Sequence, residues 1–158
     1  MTKTQIISVG KIKEPSTLEL ISEYQKRLTK YTEFKSFEVK DLSLPDNPGE
    51  KEIEAVLKKE ADSILKLFPK NLTTVAMTID GKQYSSEQFA GLISENKLKG
   101  GICFVIGSSH GLHRDVINKC DCKISLSKMT FPHNLARLIL TEQIYRGFKI
   151  LSNESYHK

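Results

Sequence analysis

Five consecutive residues, Ile102-Cys-Phe-Val-Ile106, are apolar at every position, and Gly100-Gly101 stands immediately before them. A half-exposed strand alternates apolar with polar side chains, so an unbroken run of this kind suits a strand covered on both faces, as in a parallel sheet flanked by helices. The remainder of the chain supplies the alternation that such a sheet needs. Gln5–Gly10 reads as a first strand, followed by a helix over Pro15–Tyr31 with Leu18, Ile21, Tyr24, Leu28 and Tyr31 at helical spacing. Phe34–Val39 reads as the second strand, and the turn formers of Leu44–Gly49 precede a helix over Glu50–Phe68. Thr73–Ile79 is a third strand, turned by Asp80-Gly81, and Ser85 with Gln88 forms a capping box that starts a helix through about Lys97. After Ile102–Ile106 come a short helix near Arg114–Lys119, a strand near Lys123–Ser127 and a long helix from about Asn134 to Leu151. The expectation is an α/β fold: a mostly parallel sheet flanked by helices.

At 158 residues, with 39% hydrophobic and 27% charged, the chain is expected to be one globular domain over 1–158. No apolar stretch approaches the ~18–20 residues that cross a bilayer, and the start carries no signal-peptide pattern, so no membrane partner is expected. Three cysteines form an odd set whose close pair, Cys120 and Cys122, is spaced C-x-C. That spacing fits neither the usual redox motif nor a zinc-ligand pair, so the reading is free thiols, no metal and a cytoplasmic location. The net charge of +5 is uneven: residues 101–158 carry 8 basic and 4 acidic groups, against 8 and 10 in residues 41–100. A basic last third suits a phosphate-rich partner, although an ordinary solvated surface would look the same.

Loops that follow the strands of a parallel sheet gather at one edge, where ligands bind. Three are candidates here: Ile79–Lys82, Gly107–Gly111 and Lys128–Pro132. Phe104–Gly111 delivers two glycines four apart from a buried strand, which suits close backbone approach to a ligand but equally a plain strand-to-helix turn. It matches neither the dinucleotide nor the P-loop spacing. Leu126–His133 sets hydroxyl residues and a lysine ahead of a proline, with Asn134 as a candidate N-cap. On the last helix Arg137, Glu142, Gln143, Arg146 and Lys149 read as a solvated face, and the closing Tyr156-His157-Lys158 as an end that ordinarily frays.

Taken together, Ser8–Lys11, Phe104–Gly107 with Gly111-Leu112, Leu126–His133, Glu142–Arg146 and Tyr156–Lys158 resemble the ribosomal RNA large subunit methyltransferase H family, minimal members of the SPOUT class. The resemblance spans the whole chain. It implies a C-terminal trefoil knot, a homodimer, and methyl transfer from S-adenosylmethionine to N3 of a pseudouridine in large-subunit ribosomal RNA on the assembled ribosome. It places donor contacts at Met77, Gly107 and along Leu126, Ser127, Lys128, Met129, Thr130 and Phe131. It places Tyr156-His157-Lys158 on the substrate side. The chain departs from the family at Ser108, where a second glycine is usual, and at His110.

Transfer from a sulfonium requires alignment of N3 with the methyl group and acceptance of the N3 proton. His157 is the preferred acceptor with His133 the alternative, Tyr156 and Arg146 are expected to share the catalytic role with His157, and Arg146 and Lys158 are expected to hold phosphate or stabilise charge on the base. The dimer is expected on the face of the last helix formed by Leu138, Ile144, Tyr145 and Phe148. Two other readings remain open at this stage: a non-catalytic RNA- or nucleotide-binding module, and a SPOUT enzyme acting on another RNA such as transfer RNA.

Overall fold

A computed structural model describes residues 1–158. In chain order it comprises β1 (Lys3–Val9), α1 (Pro15–Leu28), β2 (Glu33–Val39), α2 (Glu50–Lys66), β3 (Thr73–Gln83), α3 (Ser86–Glu95), β4 (Gly101–Ile106), α4 (Arg114–Lys119), β5 (Cys122–Ser125) and α5 (His133–Leu151). The strands form one parallel sheet in the order β2-β1-β4-β3-β5.

All six residues of β4 are buried, and the pleat explains why none of its side chains is polar. Ile102, Phe104 and Ile106 face one core with Phe89 and Ile93 of α3 and Leu140, Ile144 and Phe148 of α5. Cys103 and Val105 face a second core with Ala61 and Ile64 of α2 and Val116 of α4. The helices that leave β3 and β4 therefore lie on opposite faces, which opens a crevice between the carboxyl ends of these two strands.

Four expectations change in detail. Asp80-Gly81 does not end the third strand: β3 bulges between Met77 and Lys82 and then pairs again with β5. Asn134 does not cap α5. Pro132 occupies that position, and the Asn134 side chain accepts from the Leu135 amide at 2.9 Å. Arg137 is not on a solvated face; it is buried, with its guanidinium 2.6 Å from Glu38 at the end of β2. Ile144, Tyr145 and Phe148 are covered within their own chain, Tyr145 by Tyr24 and Tyr156 and Phe148 by Tyr31, so they are not surplus apolar surface. Helix periodicity identifies an apolar face but not what covers it.

The three cysteines are free, and burial pushes the Cys103 and Cys120 thiols up to about 12 and raises Cys122. A thiol reacts as its thiolate. Alkylation at pH 8 is therefore expected to leave the folded protein unmodified over times that fully label the denatured chain. Rapid labelling of Cys103 in the folded state would contradict this packing.

Candidate active site

Three segments at the carboxyl ends of β3, β4 and β5 enclose a cavity of about 460 Å³, within the ~300–1,000 Å³ of small-molecule sites. The first is the bulge of β3, which carries Thr78, Ile79 and Asp80 over the cavity. It lies directly on β5: a Cβ on Gly81 would stand 2.5 Å from the Ile124 carbonyl carbon.

The second segment, Gly107–Gly111, is a tight turn closed by the Gly111 amide donating to the Ser108 carbonyl at 2.9 Å. A Cβ on Gly107 would stand 2.3 Å from the Gly111 carbonyl oxygen, and Gly111 itself has φ +81°. Both glycines are thus required by the turn before any ligand arrives. Its exit is held by His113, whose Nδ1 accepts from the Asp115 amide at 3.0 Å and whose Nε2 lies 2.6 Å from Glu54. An amide can only donate, so Nε2 carries the hydrogen and points it at the carboxylate.

The third segment runs from Leu126 to Pro132 and crosses the strand ends from β5 toward β1 and β2. Ser125 Oγ donates to the Ser127 carbonyl at 2.9 Å, and Ser127 Oγ accepts from the Met129 amide at 3.0 Å. At its far end His133 Nε2 approaches to 3.4 Å of where a Cβ on Gly10 would be, and Arg137 bonds Glu38. Only after this crossing does α5 turn back over α1 and α3.

Of the residues expected to hold a donor, Met77, Gly107, Leu126, Ser127, Met129 and Phe131 line the cavity. Lys128 and Thr130 do not; both are exposed. His133 is a lining residue, and its Nε2, like Thr78 Oγ1, is buried without a hydrogen-bond partner. Thr78 was not singled out by the sequence, because the bulge that turns it inward has no local signature beyond Gly81.

Arg146, Tyr156, His157 and Lys158 do not line this cavity. The last residues are nevertheless not frayed. Glu142 binds Arg146 at 2.6 Å and the Tyr156 hydroxyl at 3.0 Å, and Tyr156 packs edge-on against Tyr145 with its other face toward Arg146. His157 is held on both sides, with Nδ1 3.1 Å from Arg146 and Nε2 2.7 Å from Glu87. A guanidinium can only donate, so Nδ1 accepts and Nε2 carries the hydrogen. Lys158 is exposed. A smaller hollow shares Ser125 and Leu126 with the main cavity and extends to Ser86 and Gln143, which bond at 2.7 Å beside the tail cluster.

A family model described as predicted SPOUT methyltransferase matches residues 2–157. The chain belongs to this family. Two curated relatives, from Clostridium beijerinckii and Clostridium botulinum, are 46% and 48% identical over 155 residues, covering 97% of this chain and 98% of each relative. Both are named ribosomal RNA large subunit methyltransferase H. The protein is a SPOUT methyltransferase, and its cavity lies where the loops of a parallel sheet meet. The crossing segment and the two glycines of the turn are the parts of the sequence that build it.

Proposed function

We propose that the protein methylates N3 of a pseudouridine in large-subunit ribosomal RNA, using S-adenosylmethionine, on the assembled ribosome and in the cytoplasm. The observation that carries this reading is the coincidence, in one cavity, of six of the eight residues that the family resemblance assigns to the donor. The cavity suits such a donor: Met77, Ile106, Leu126 and Phe131 offer apolar cover, while Thr78 Oγ1 and His133 Nε2 are polar atoms lacking a partner. Bound S-adenosylmethionine supplies a methyl group activated by a sulfonium. The segment that crosses the strand ends before α5 supports the knotted topology of the family.

On the substrate side, Arg146 and His157 present donors that suit negative charge developing on the base as N3 loses its proton. His157 Nδ1 is occupied by Arg146, whereas Glu87, 64% exposed, can leave Nε2–H free for substrate. This tautomer makes His157 a hydrogen-bond donor. His133, with its unpartnered Nε2, is the better-placed proton acceptor of the two. Tyr156 keeps Arg146 in place through Glu142, and exposed Lys158 is set to contact phosphate.

That none of the tail residues lines its own chain's cavity supports a homodimer in which one chain's tail faces the substrate at the other's donor site. Ile79 and Met129, 59% and 75% exposed at the cavity rim, with Leu135 at 41%, provide the apolar contact. Light scattering at micromolar concentration should give twice the 17.9 kDa of one chain, and Leu135→Asp should shift it toward the monomer with parallel loss of activity. A wild-type monomer that is fully active would defeat the shared site.

The reaction is tested with purified protein, labelled donor and either assembled ribosomes or transfer RNA. Label in the large-subunit RNA is the expected outcome. Label only in transfer RNA would favour the other SPOUT reading, and label in neither would remove the proposed substrate.

A further inference from the structure

We propose that Arg137 is a positioning residue for the donor site: its pairing with Glu38 anchors, at the far edge of the sheet, the segment that crosses the cavity. The inference rests on reading the cavity as the donor site.

β5 and β2 are the two edges of the sheet, and the crossing segment passes from one toward the other over the strand ends between them. Hydrogen bonds tie it to both edges. At its start Ser125, the last residue of β5, donates its hydroxyl to the Ser127 carbonyl at 2.9 Å. Beyond its end Arg137, in the second turn of α5, donates from Nη1 to the Glu38 carboxylate at 2.6 Å and from Nη2 to the Ser36 hydroxyl at 3.4 Å. Ser36 and Glu38 stand two apart on β2 and so share a face of the sheet, where one guanidinium reaches both.

The cavity lining is strung between these anchors. Leu126, Ser127, Met129 and Phe131 of the segment line the cavity, as do His133 and Ala136 in the first turn of α5. Arg137 therefore directly follows one lining residue and stands one helical turn after another.

The chemistry of the second anchor indicates what it is for. Arg137 is 6% exposed, and a buried ion pair contributes little net stability because desolvation offsets the attraction. This one is also incomplete: Arg137 Nε is buried with no partner, and an unsatisfied buried donor is destabilising. A methionine would fill much of the same space without an orphaned donor. What an apolar side chain lacks is direction, since burial of apolar surface is non-directional. Two bonds from one rigid, planar guanidinium instead set the rotation of α5 and its height along β2. His133 and Ala136 move with that turn of helix, so the setting decides where they meet the cavity.

The test is calorimetric titration of S-adenosylmethionine into wild type, Arg137→Met, the double variant Arg137→Met with Glu38→Leu, and Glu38→Gln, with melting temperatures in parallel. The double variant should melt no lower than wild type, because apolar replacement of both members leaves no uncompensated buried charge. It should nevertheless bind donor about tenfold more weakly, and no more weakly than Arg137→Met alone, since both changes break one contact. Glu38→Gln should bind within about twofold of wild type, because the amide oxygen still accepts from the guanidinium. Wild-type affinity in the double variant, a melting temperature that falls along with its affinity, or a loss in Glu38→Gln equal to that in Arg137→Met would each overturn the inference while leaving the donor site standing. Failure of the wild type itself to bind donor would overturn both.

Discussion

Gly107→Ala is expected to abolish detectable donor binding, and Gly107→Val to do the same. A single methyl group suffices because it would meet the Gly111 carbonyl oxygen at 2.3 Å and its carbon at 2.4 Å. Those are backbone atoms of the same turn and cannot rotate away. The turn must open, and the cavity wall it forms opens with it. Overpacking of this kind costs about 1–3 kcal/mol, so melting should fall by roughly 2–10 °C at this chain length. Gly91→Ala on α3 is the matched control, since nothing lies within 4 Å of its added Cβ. In a helix that change should stabilise by about 0.5–1 kcal/mol and leave donor binding intact. A Gly107→Ala protein that binds donor with wild-type affinity would refute the role given to the turn.

Removal of Tyr156-His157-Lys158 should leave donor affinity unchanged, because none of the three lines the cavity. Methyl transfer to ribosomes should fall by on the order of 10²-fold or more, the scale for losing a positioned proton-handling or charge-stabilising group. The deletion also frees Arg146 from His157 and strips Tyr156 from Glu142, so it removes more than one interaction. His157→Ala should reproduce part of the loss. Lys158→Ala should act chiefly on ribosome binding, with a defect that is largest at low salt and narrows as salt rises. Single-turnover rates under saturating donor separate these effects, and full turnover by the truncated protein would remove the tail from the reaction.

Much of this architecture was legible in the sequence because it rests on local signals. The all-apolar run became a strand buried on both faces, and Ser85 with Gln88 became a capping box, the Ser85 side chain accepting from the Gln88 amide at 3.1 Å and Gln88 returning a bond at 2.8 Å. What the sequence could not convey is long-range. Asp80-Gly81 carries ordinary turn chemistry, and only the close approach of Gly81 to Ile124 makes it a bulge within a continuing strand. Arg137 looks like any helix-surface cation until the crossing segment brings it to Glu38. The tail looks like any chain end until Tyr145, Glu142 and Glu87 receive it.

The central claim, methylation of a pseudouridine in large-subunit ribosomal RNA, is tested most directly by mass spectrometry of that RNA from a strain lacking this gene, with and without the gene restored. One pseudouridine should lose a single methyl group in the deletion strain. The group should return with the wild-type gene and stay absent with the Gly107→Ala gene. An unchanged methylation pattern in the deletion strain would contradict the account.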